Sequence, residues 1–512
     1  MNLLKTLAQV SSMTLLSRIL GFVRDTVIAR GFGAGMATDA FFVAFRIPNL
    51  LRRLFAEGAF SQAFVPVLAE YKNQKGFDAT HDLIDHVASV LALVLFIVTL
   101  LGIVIAPVII YVSAPGFAAH PDKFQVTVEL LRITFPYILF ISLVAFSGAI
   151  LNTHSKFSVP AFTPVLLNIS FIFFALVVAP HLASPVKALA WGAFFGGLLQ
   201  LVFQIPFLLK LKLLPRWRLN LKDPGMRRIL KLMGPAVFGV SIGQISLLIS
   251  TIFASFLVTG SVSWLFYADR LMEFPTGLLG VGLGTILLPS LAKHFQTKNF
   301  AEYSKLLDWG LRLTFLLALP AALALALLAM PLVTTLFHYG QFSVNDAWMT
   351  RNAVMAYSIG LTGLILVKIL APGFYAQQNI KTPVKIGLIT LGVTQALNLI
   401  LLAPLQHVGL ALATGLGACF NAAFLFYKLR QYDLYRPQAG WYAFFAKLAC
   451  ALAAMGLVLW WLAGDPQGWL EASASAKVAR LSLLVALGMA IYFATLALLG
   501  FRLRHFARRG AG

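Results

Sequence analysis

Apolar stretches of about 20 residues recur along the whole chain and are separated by short polar segments. A helix of about 20 residues crosses the roughly 30 Å hydrocarbon core of a membrane. Hydrophobic residues make up 60% of the 512 residues and charged residues only 11%, which does not suit a soluble domain with a wetted surface. We therefore predict an all-α polytopic membrane protein with about fourteen transmembrane helices. The predicted spans are 6–30, 37–69, 84–113, 127–152, 158–180, 186–210, 232–258, 263–292, 307–330, 347–375, 383–403, 407–428, 440–463 and 479–501.

Lysine and arginine residues gather in alternate connections between these spans, most densely in the segment 210–231. Since such connections face the cytoplasm, both termini are predicted to be cytoplasmic. The segment 210–231 also suits a surface helix that binds anionic headgroups. The formal net charge of +22 does not predict a nucleic-acid partner, because the basic residues are spread over short segments instead of forming one basic face.

Enzymatic and metal-binding motifs are poorly represented. The two cysteines, Cys419 and Cys450, lie in apolar stretches far apart in sequence and predict neither a disulfide nor a zinc site. The segment 239–243 matches the GxSxG pattern but lies in an apolar helix without the strand that a nucleophile elbow needs. The sequence has no phosphate-binding loop and no zinc protease motif. We predict a transporter with no cofactor and no metal, and not an enzyme.

The chain repeats itself. Pro66 and Pro289 are separated by the same number of residues as Pro160 and Pro383, and matching segments around them keep the same order. This spacing predicts two six-helix lobes related about an axis along the membrane normal. The predicted divisions are an N-terminal lobe at 1–215, a C-terminal lobe at 216–436, and helices thirteen and fourteen with a cytoplasmic tail at 437–512.

Two arginines, Arg18 and Arg24, lie inside the first predicted span. A charge near the centre of a membrane helix costs about 2.5–3.5 kcal/mol, so such residues usually face a cavity or a ligand. Helical spacing places them on one polar face with Ser17 and Asp25. The seventh span, their counterpart in the second lobe, has no charged residue within 232–258. The fold therefore does not require these charges, and they predict an anionic ligand.

The second and eighth spans also carry a polar face. In the eighth span it consists of Ser263, Arg270 and Glu273, with Asp269 at its margin. In the second span it consists of Asp39, Arg46, Asn49, Arg53 and Glu57. Arg52 lies off this face unless a bend at Pro48 changes the helical phase, so spacing alone favours Arg53. Pro48 and Pro275 are predicted hinges, since proline bends a helix and bent helices often line transport pathways.

Purely structural roles are the alternative for these side chains. Arg46, Arg53 and Glu57 also suit snorkelling or capping near helix ends. In closed ion pairs, the arginines Arg18, Arg24 and Arg270 would be matched with Asp25, Asp39, Asp269 or Glu273. Glu129 is placed to pair with Arg132 one turn on, and neither Glu129 nor Lys368 receives a functional role.

Three segments resemble a known family. They are 17–25 (SRILGFVRD), 38–66 (TDAFFVAFRIPNLLRRLFAEGAFSQAFVP) and 267–275 (YADRLMEFP). They are similar to the MurJ family, also called MviN, of bacterial lipid II flippases, which belongs to the multidrug/oligosaccharidyl-lipid/polysaccharide exporter superfamily. The resemblance extends from the first residue to the last, including the additional pair of helices.

The resemblance implies a protein of the bacterial inner membrane that moves undecaprenyl-diphosphate-linked disaccharide pentapeptide from the cytoplasmic to the periplasmic leaflet for peptidoglycan synthesis. It implies one cationic central cavity, with Arg52 in preference to Arg53, and an apolar groove for the polyprenyl tail on helices thirteen and fourteen. The implied substrate-binding residues are Arg18, Arg24, Asp25, Arg52 and Arg270. The implied gate and supporting polar residues are Ser17, Asp39, Asn49, Glu57, Ser263, Asp269 and Glu273, with Asp39 near the periplasmic gate.

The resemblance also bears on coupling and partners. A sodium site of some family members needs a carboxylate in helix seven, which is absent here, so sodium coupling is not predicted. The implied partners are lipid II and membrane lipids, and contact with cell-wall synthesis proteins stays open.

The residues support this chemistry independently, because guanidinium groups bind diphosphate oxygens through paired, charge-assisted hydrogen bonds. With the cytoplasm negative, expelling a group of charge near −2 gains roughly 4–5 kcal/mol per 100 mV, so the membrane potential is the predicted driving force. Two other transport functions stay open, a flippase for a different polyprenyl-linked glycan and a cation-coupled multidrug exporter. A membrane-embedded glycan polymerase is the competing enzyme class.

Overall fold

The computed structural model describes residues 3–53 and 60–501, with side chains described except at 3–11, 62, 234–240, 242–243, 281–282 and 285–286. Every regular element in these residues is helical, which confirms the predicted all-α class. The first half contains α1 Leu3–Phe32, α2 Met36–Arg52, α3 Ser61–Glu70, α4 Gly76–Val104, α5 Ala106–Ser113, α6 Pro121–Thr134, α7 Tyr137–Thr153, α8 Ser158–Phe173, α9 Lys187–Lys210 and α10 Pro224–Ser255. The second half contains α11 Ser261–Pro275, α12 Gly282–Gln296, α13 Phe300–Leu327, α14 Ala329–Leu336, α15 Val344–Tyr375, α16 Lys381–Gln431, α17 Trp441–Ala463, α18 Pro466–Glu471 and α19 Ala474–Leu498.

The predicted spans match these helices with local differences. Within the described ranges, nine helical stretches are long and apolar enough to cross a membrane. The spans 383–403 and 407–428 correspond to the two parts of α16, which meet at non-helical backbone at Gln406, whose φ is 52°. The span 127–152 is interrupted after α6 because Pro136 cannot donate a backbone hydrogen bond. The short helices α14 and α18 were not predicted, because neither is long enough to produce an apolar window of membrane length.

The two predicted hinges lie in different local geometries. Pro48 lies inside α2, and the helix continues through it to Arg52. Pro275 is the last residue of α11 and is followed by a π-helical segment, Thr276–Val281, before α12 begins. Segments of π-helix occur mostly as single-turn insertions in α-helices and are frequent at functional sites. The functional role of both prolines as hinges stays a prediction.

Contacts group the chain into two compact units, 1–263 and 264–512. In the first unit, a core of side chains from α3, α4, α7 and α10 includes Phe64, Ile84 and Ile150, all fully buried. These units are defined by packing contacts, whereas the predicted lobes are defined by the sequence repeat, so the two sets of boundaries describe different properties. The boundaries after 215 and 436 therefore stay predictions.

The second unit has two adjoining cores. One joins α12, α13, α15 and α16. The other attaches the last helices, since Leu316 of α13 packs with Met455 of α17 and Tyr492 of α19. The Tyr492 hydroxyl also donates to the Leu316 carbonyl at 2.6 Å. Helices thirteen and fourteen of the prediction are thus fixed to α13.

Small residues allow α15 and α16 to approach closely. A Cβ atom added to Gly360 of α15 would overlap the backbone of Gly415 on α16. Gly363 likewise leaves no room for a Cβ beside Cys419. Membrane helices associate largely through such close backbone packing, because lipid provides no hydrophobic drive between them.

Candidate functional site

Arg24 of α1 is held by two side chains, Asp25 of the same helix and Asn168 of α8. Its Nε and Nη2 atoms donate to Asp25 Oδ1 at 2.9 and 2.7 Å. Its Nη1 atom donates to Asn168 Oδ1 at 3.1 Å. Asp25 is 2% exposed, whereas Arg24 is half-buried. The ion pair considered from the sequence is therefore formed, and it fixes the direction of the guanidinium group.

Asn168 was missed by the sequence analysis. It is 5% exposed on α8, and its Nδ2 atom donates to the Ser17 carbonyl of α1 at 3.0 Å. Asn168 of α8 thus links the Arg24 side chain to the Ser17 carbonyl, which lies two turns earlier in α1. The sequence did contain a signal for it, because Asn168 is the only amide side chain in the apolar span 158–180. A buried amide needs hydrogen-bond partners. Phe171, one turn later, lies 5.6 Å from the Arg24 guanidinium carbon.

Arg18 differs from Arg24 in its surroundings. Its side chain is exposed and forms no hydrogen bond or ion pair with any residue whose side chain is described. Ser17 is half-buried and takes part through its carbonyl group. Within the first unit, α1 therefore presents one guanidinium that is fixed and one that is accessible.

The second helix carries Arg52, which the family resemblance favours, and Arg53, which helical spacing alone favours. Arg52 donates through Nε to Asn49 Oδ1 at 2.9 Å, and both side chains are half-buried. Arg53 is also half-buried. Arg46 donates to Thr251 Oγ1 of α10, so its polar contact lies inside the protein. Glu57 lies outside the described residues. The preference for Arg52 as a ligand-binding residue stays a prediction.

Asp39 of α2 is the centre of a buried polar cluster. Its Oδ2 accepts from Lys123 Nζ and from the Gly260 amide, both at 2.8 Å. Its Oδ1 accepts from the Ser263 amide and hydroxyl at 2.9 and 2.7 Å. The Ser263 hydroxyl oxygen also lies 2.9 Å from Thr38 Oγ1. Three of these four donors belong to Gly260 and Ser263, so Asp39 holds the beginning of α11 against α2.

Lys123 is the second residue that sequence analysis did not connect to the site. It lies on α6, is 3% exposed and also lies 4.2 Å from the Phe117 ring. In the sequence it is the only lysine or arginine between the predicted spans 84–113 and 127–152, which gives no indication of its carboxylate partner. Its pairing with Asp39 joins two segments distant in sequence, which spacing arguments do not detect.

In the second unit, Arg270 forms an ion pair with Glu273, with 2.6 Å between Nη1 and Oε2. The guanidinium carbon also lies 4.9 Å from the Phe266 ring. Asp269 is half-buried beside them. The helical spacing on α11 therefore placed these charges correctly next to one another.

Two charged residues without a predicted role have defined surroundings. Glu129 pairs with Lys187 at 2.9 Å, whereas Arg132 donates to the Ile103 carbonyl at 3.3 Å. The expected pairing of Glu129 with Arg132 was therefore wrong, because the beginning of α9 brings Lys187 closer. Lys368 of α15 packs its stem against Gly280, where an added Cβ would lie 2.6 Å from Lys368 Cδ.

Within the described residues, nine helical stretches of membrane-crossing length define a polytopic α-helical membrane protein. The fold is shared with an inward-facing multidrug resistance MATE family transporter of the MOP superfamily, which has 15% identity and a TM-score of 0.67 over 83% of this chain and 98% of that one. The chain belongs to the family described as lipid II flippase MurJ, whose profile matches residues 28–478.

Individual relatives agree with this membership. The chain is 51% identical to the lipid II flippase MurJ of Burkholderia cenocepacia, over 99% of this chain and 100% of that protein. It is 46% identical to the probable lipid II flippase MurJ of Haemophilus influenzae, over 96% and 99%. A solved structure of a lipid II flippase MurJ in an inward closed conformation superposes with a TM-score of 0.80 at 26% identity, covering 95% of this chain and 99% of that one.

Proposed function

We propose that this chain is a lipid II flippase that moves the undecaprenyl-diphosphate-linked peptidoglycan precursor from the cytoplasmic to the periplasmic leaflet by alternating access. Membership of the MurJ family supports the substrate and the transport class. The observation that carries the proposal within this chain is the Arg24 guanidinium, which is fixed by Asp25 and Asn168 inside an apolar helix. A drug exporter for cations would instead centre on a carboxylate.

The arginines bind the diphosphate in this proposal. Arg24 is pre-oriented, so little side-chain entropy is lost when phosphate oxygens replace water around it. Arg18 is accessible on the same helix and supplies a second guanidinium group. Arg52 and Arg270 are the other two proposed diphosphate-binding residues, and each has a neighbouring polar group that orients it. Lysine would bind phosphate less selectively, because an ammonium group lacks the planar fork of donors.

The polyprenyl tail requires an apolar surface, and the second unit has one beside α17. A furrow of about 680 Å³ lies between α13, α15, α16 and the start of α17, with Phe315, Leu366 and Phe426 in its walls. A second furrow of about 740 Å³ continues between α13, α15 and α17 as far as Trp460. Both include Thr362. These surfaces support the proposal that the tail lies along the first of the two added helices.

The proposed function is tested in bacteria whose own flippase is depleted and replaced by this chain. Cells that depend on this chain should grow and deliver lipid II to the periplasm, whereas Arg24→Ala and Arg270→Ala should not sustain growth. Arg132→Ala is the matched control, because it removes an exposed arginine of α6 that contacts only a backbone carbonyl among the described residues. Equal growth of the Arg24 and Arg132 variants would contradict the proposed role of Arg24. Turnover of lipid-linked substrate in detergent would instead indicate a glycan polymerase.

A further inference from the structure

A second cationic site lies in the second unit and is built from residues other than the arginines of α1, α2 and α11. A cavity of about 400 Å³ opens where α13, the beginning of α17 and the end of α19 meet. Its charged lining residues are Lys305, Asp308, Arg312 and Lys447, and aromatic rings from Trp309, Phe444 and Phe501 complete the wall. Three cations and one carboxylate therefore surround one opening.

Two of the cations are offset by carboxylates, since Arg312 pairs with Asp308 and Lys305 pairs with Glu302, and among the described residues Lys447 has no such partner. Asp308 Oδ1 accepts from the Tyr435 hydroxyl at 2.7 Å and the Trp441 indole at 2.8 Å. It also accepts from the Gln438 amide at 3.1 Å. Asp308 is 3% exposed, so it anchors the connection before α17 from inside the protein. Its remaining oxygen accepts from Arg312 Nε at 2.7 Å.

Arg312 is held in one orientation with donors left over. Its Nη2 atom donates to the Ala439 carbonyl at 2.8 Å, and its guanidinium lies 4.9 Å from the Trp441 ring. Its Nη1 atom lies close to Gly440, since a Cβ atom added to this glycine would be 3.9 Å from it. The guanidinium has five N–H donors, and these contacts use only part of them. A rigid guanidinium with unused donors is suited to bind a phosphate oxygen.

Lys447 provides the second cation. It is half-buried on α17, and its Nζ atom would lie 4.0 Å from a Cβ on Gly500, just beyond the end of α19. It forms no hydrogen bond or ion pair with residues 12–53 or 60–501 whose side chains are described. Attraction to the carbonyl end of α19 accounts for the position of Lys447 but does not use its three donors.

The cavity lies beside surfaces that suit acyl chains. Tyr442 at the start of α17 is 95% exposed and Leu498 at the end of α19 is 88% exposed. A ligand that combines a phosphate with apolar chains would match both surfaces. Free phosphate would use only the cationic one.

We propose that this cavity binds the phosphodiester headgroup of an anionic glycerophospholipid, with Lys447 and Arg312 as the phosphate-binding residues. The site is separate from the proposed diphosphate-binding arginines and does not depend on their role. Basic pockets between membrane helices on the predicted cytoplasmic side are typical headgroup sites. The bound lipid would join α13, α17 and α19 at their common end.

Native mass spectrometry of the full chain in detergent, titrated with phosphatidylglycerol or with phosphatidylcholine, tests the proposal. Lys447→Met keeps the length of the side chain and removes its charge. It should weaken the tightest phosphatidylglycerol binding about fivefold and leave phosphatidylcholine binding unchanged. Lys428→Met is the matched control, because Lys428 is also a half-buried lysine of the second unit but lies at the end of α16 outside the cavity lining. It should bind phosphatidylglycerol like the unsubstituted chain.

Three results would overturn the proposal. Equal loss in both variants would mean that phosphatidylglycerol responds to overall charge, and unchanged binding by Lys447→Met would mean that the lipid binds elsewhere. Displacement of the lipid by inorganic phosphate at equal concentration would assign the site to free phosphate. Circular dichroism and the thermal unfolding midpoint of Lys447→Met should match those of Lys428→Met, which separates loss of binding from loss of folding.

Discussion

Lys123 of α6 and Asp39 of α2 form an ion pair of 2.8 Å in which both side chains are almost completely buried. Asp39 also accepts three hydrogen bonds from Gly260 and Ser263 at the beginning of α11. A buried charge is tolerated only when it is paired and its remaining lone pairs are satisfied. Lys123 therefore neutralises the carboxylate that holds α2 to α11.

Removing Lys123 should have a large effect on stability. Lys123→Met leaves the Asp39 carboxylate buried without its countercharge, which costs about 3–5 kcal/mol. The double variant Lys123→Met/Asp39→Asn should recover part of that loss, because no uncompensated charge is left. Thermal unfolding in detergent, followed by circular dichroism, measures both. Additive losses in the double variant would mean that the two side chains do not interact.

The matched control for this experiment is Lys187→Met, which breaks the pair with Glu129. Both of those side chains are about one third exposed or more, so water screens their attraction. The loss of stability should be within about 1 kcal/mol. A loss as large as that of Lys123→Met would indicate that burial does not set the strength of these pairs.

Asn168 should affect transport through Arg24. Asn168→Ala removes the hydrogen bond to Arg24 and the one to the Ser17 carbonyl. Because hydrogen bonds to charged groups contribute about 1.5–3 kcal/mol, the transport rate should fall about 10-fold to 100-fold. Asn168→Gln, which keeps the amide, should restore part of the rate.

Whether the effect of Asn168→Ala depends on Arg24 distinguishes positioning of the guanidinium group from a general packing effect. In an Arg24→Lys background, Asn168→Ala should reduce transport much less than it does in the unsubstituted chain. The same fold loss in both backgrounds would contradict a positioning role for Asn168, since Asn168 would then act independently of the guanidinium group.

Gly360 should be intolerant of any side chain. Gly360→Ala places a methyl group into the backbone of Gly415, and overpacking of this kind costs about 1–3 kcal/mol or more. Gly392→Ala on α16 is the control, because nothing lies within 4 Å of its added Cβ. Gly392→Ala should leave the unfolding temperature unchanged or raise it, since alanine favours helix. Equal behaviour of the two variants would contradict the close crossing of α15 and α16.

The membrane potential is the proposed driving force for export. At about 2.3 kcal/mol per charge per 100 mV, moving a diphosphate of charge near −2 toward the positive side gains roughly 4–5 kcal/mol. Imposing a potassium diffusion potential on proteoliposomes should accelerate lipid II movement in the direction of the positive side, and reversing its sign should slow it. Movement that is indifferent to the potential would exclude this driving force.

The sequence predicted the helices well because apolar length and period are local properties. The polar face of α1, the ion pair of Arg270 with Glu273 and the break between the two parts of α16 were all accessible in this way. Helix ends were less accurate, as at α4, which begins at Gly76 instead of near 84. Charged side chains extend some membrane helices beyond the apolar core, and hydropathy does not register them.

Partners on other helices could not be predicted from local patterns. Asn168, Lys123 and Lys187 each contact a charged residue that is distant in sequence. Helical spacing identifies which residues share a face but not which helix that face meets. Comparison of the two sequence repeats identified the charges of α1 as unusual, because the corresponding span 232–258 has none. The repeats contain no information on the contacts of those charges.

The most direct test of the central claim is transport of lipid II by the purified chain in liposomes. Lipid II is placed in one leaflet, and its appearance in the other is followed with a membrane-impermeant reagent that modifies the exposed headgroup. We expect transfer by the unsubstituted chain and by Arg132→Ala, and none above protein-free liposomes by Arg24→Ala. Transfer by Arg24→Ala at the rate of the unsubstituted chain would contradict recognition of the diphosphate by the arginine that Asp25 and Asn168 hold in place.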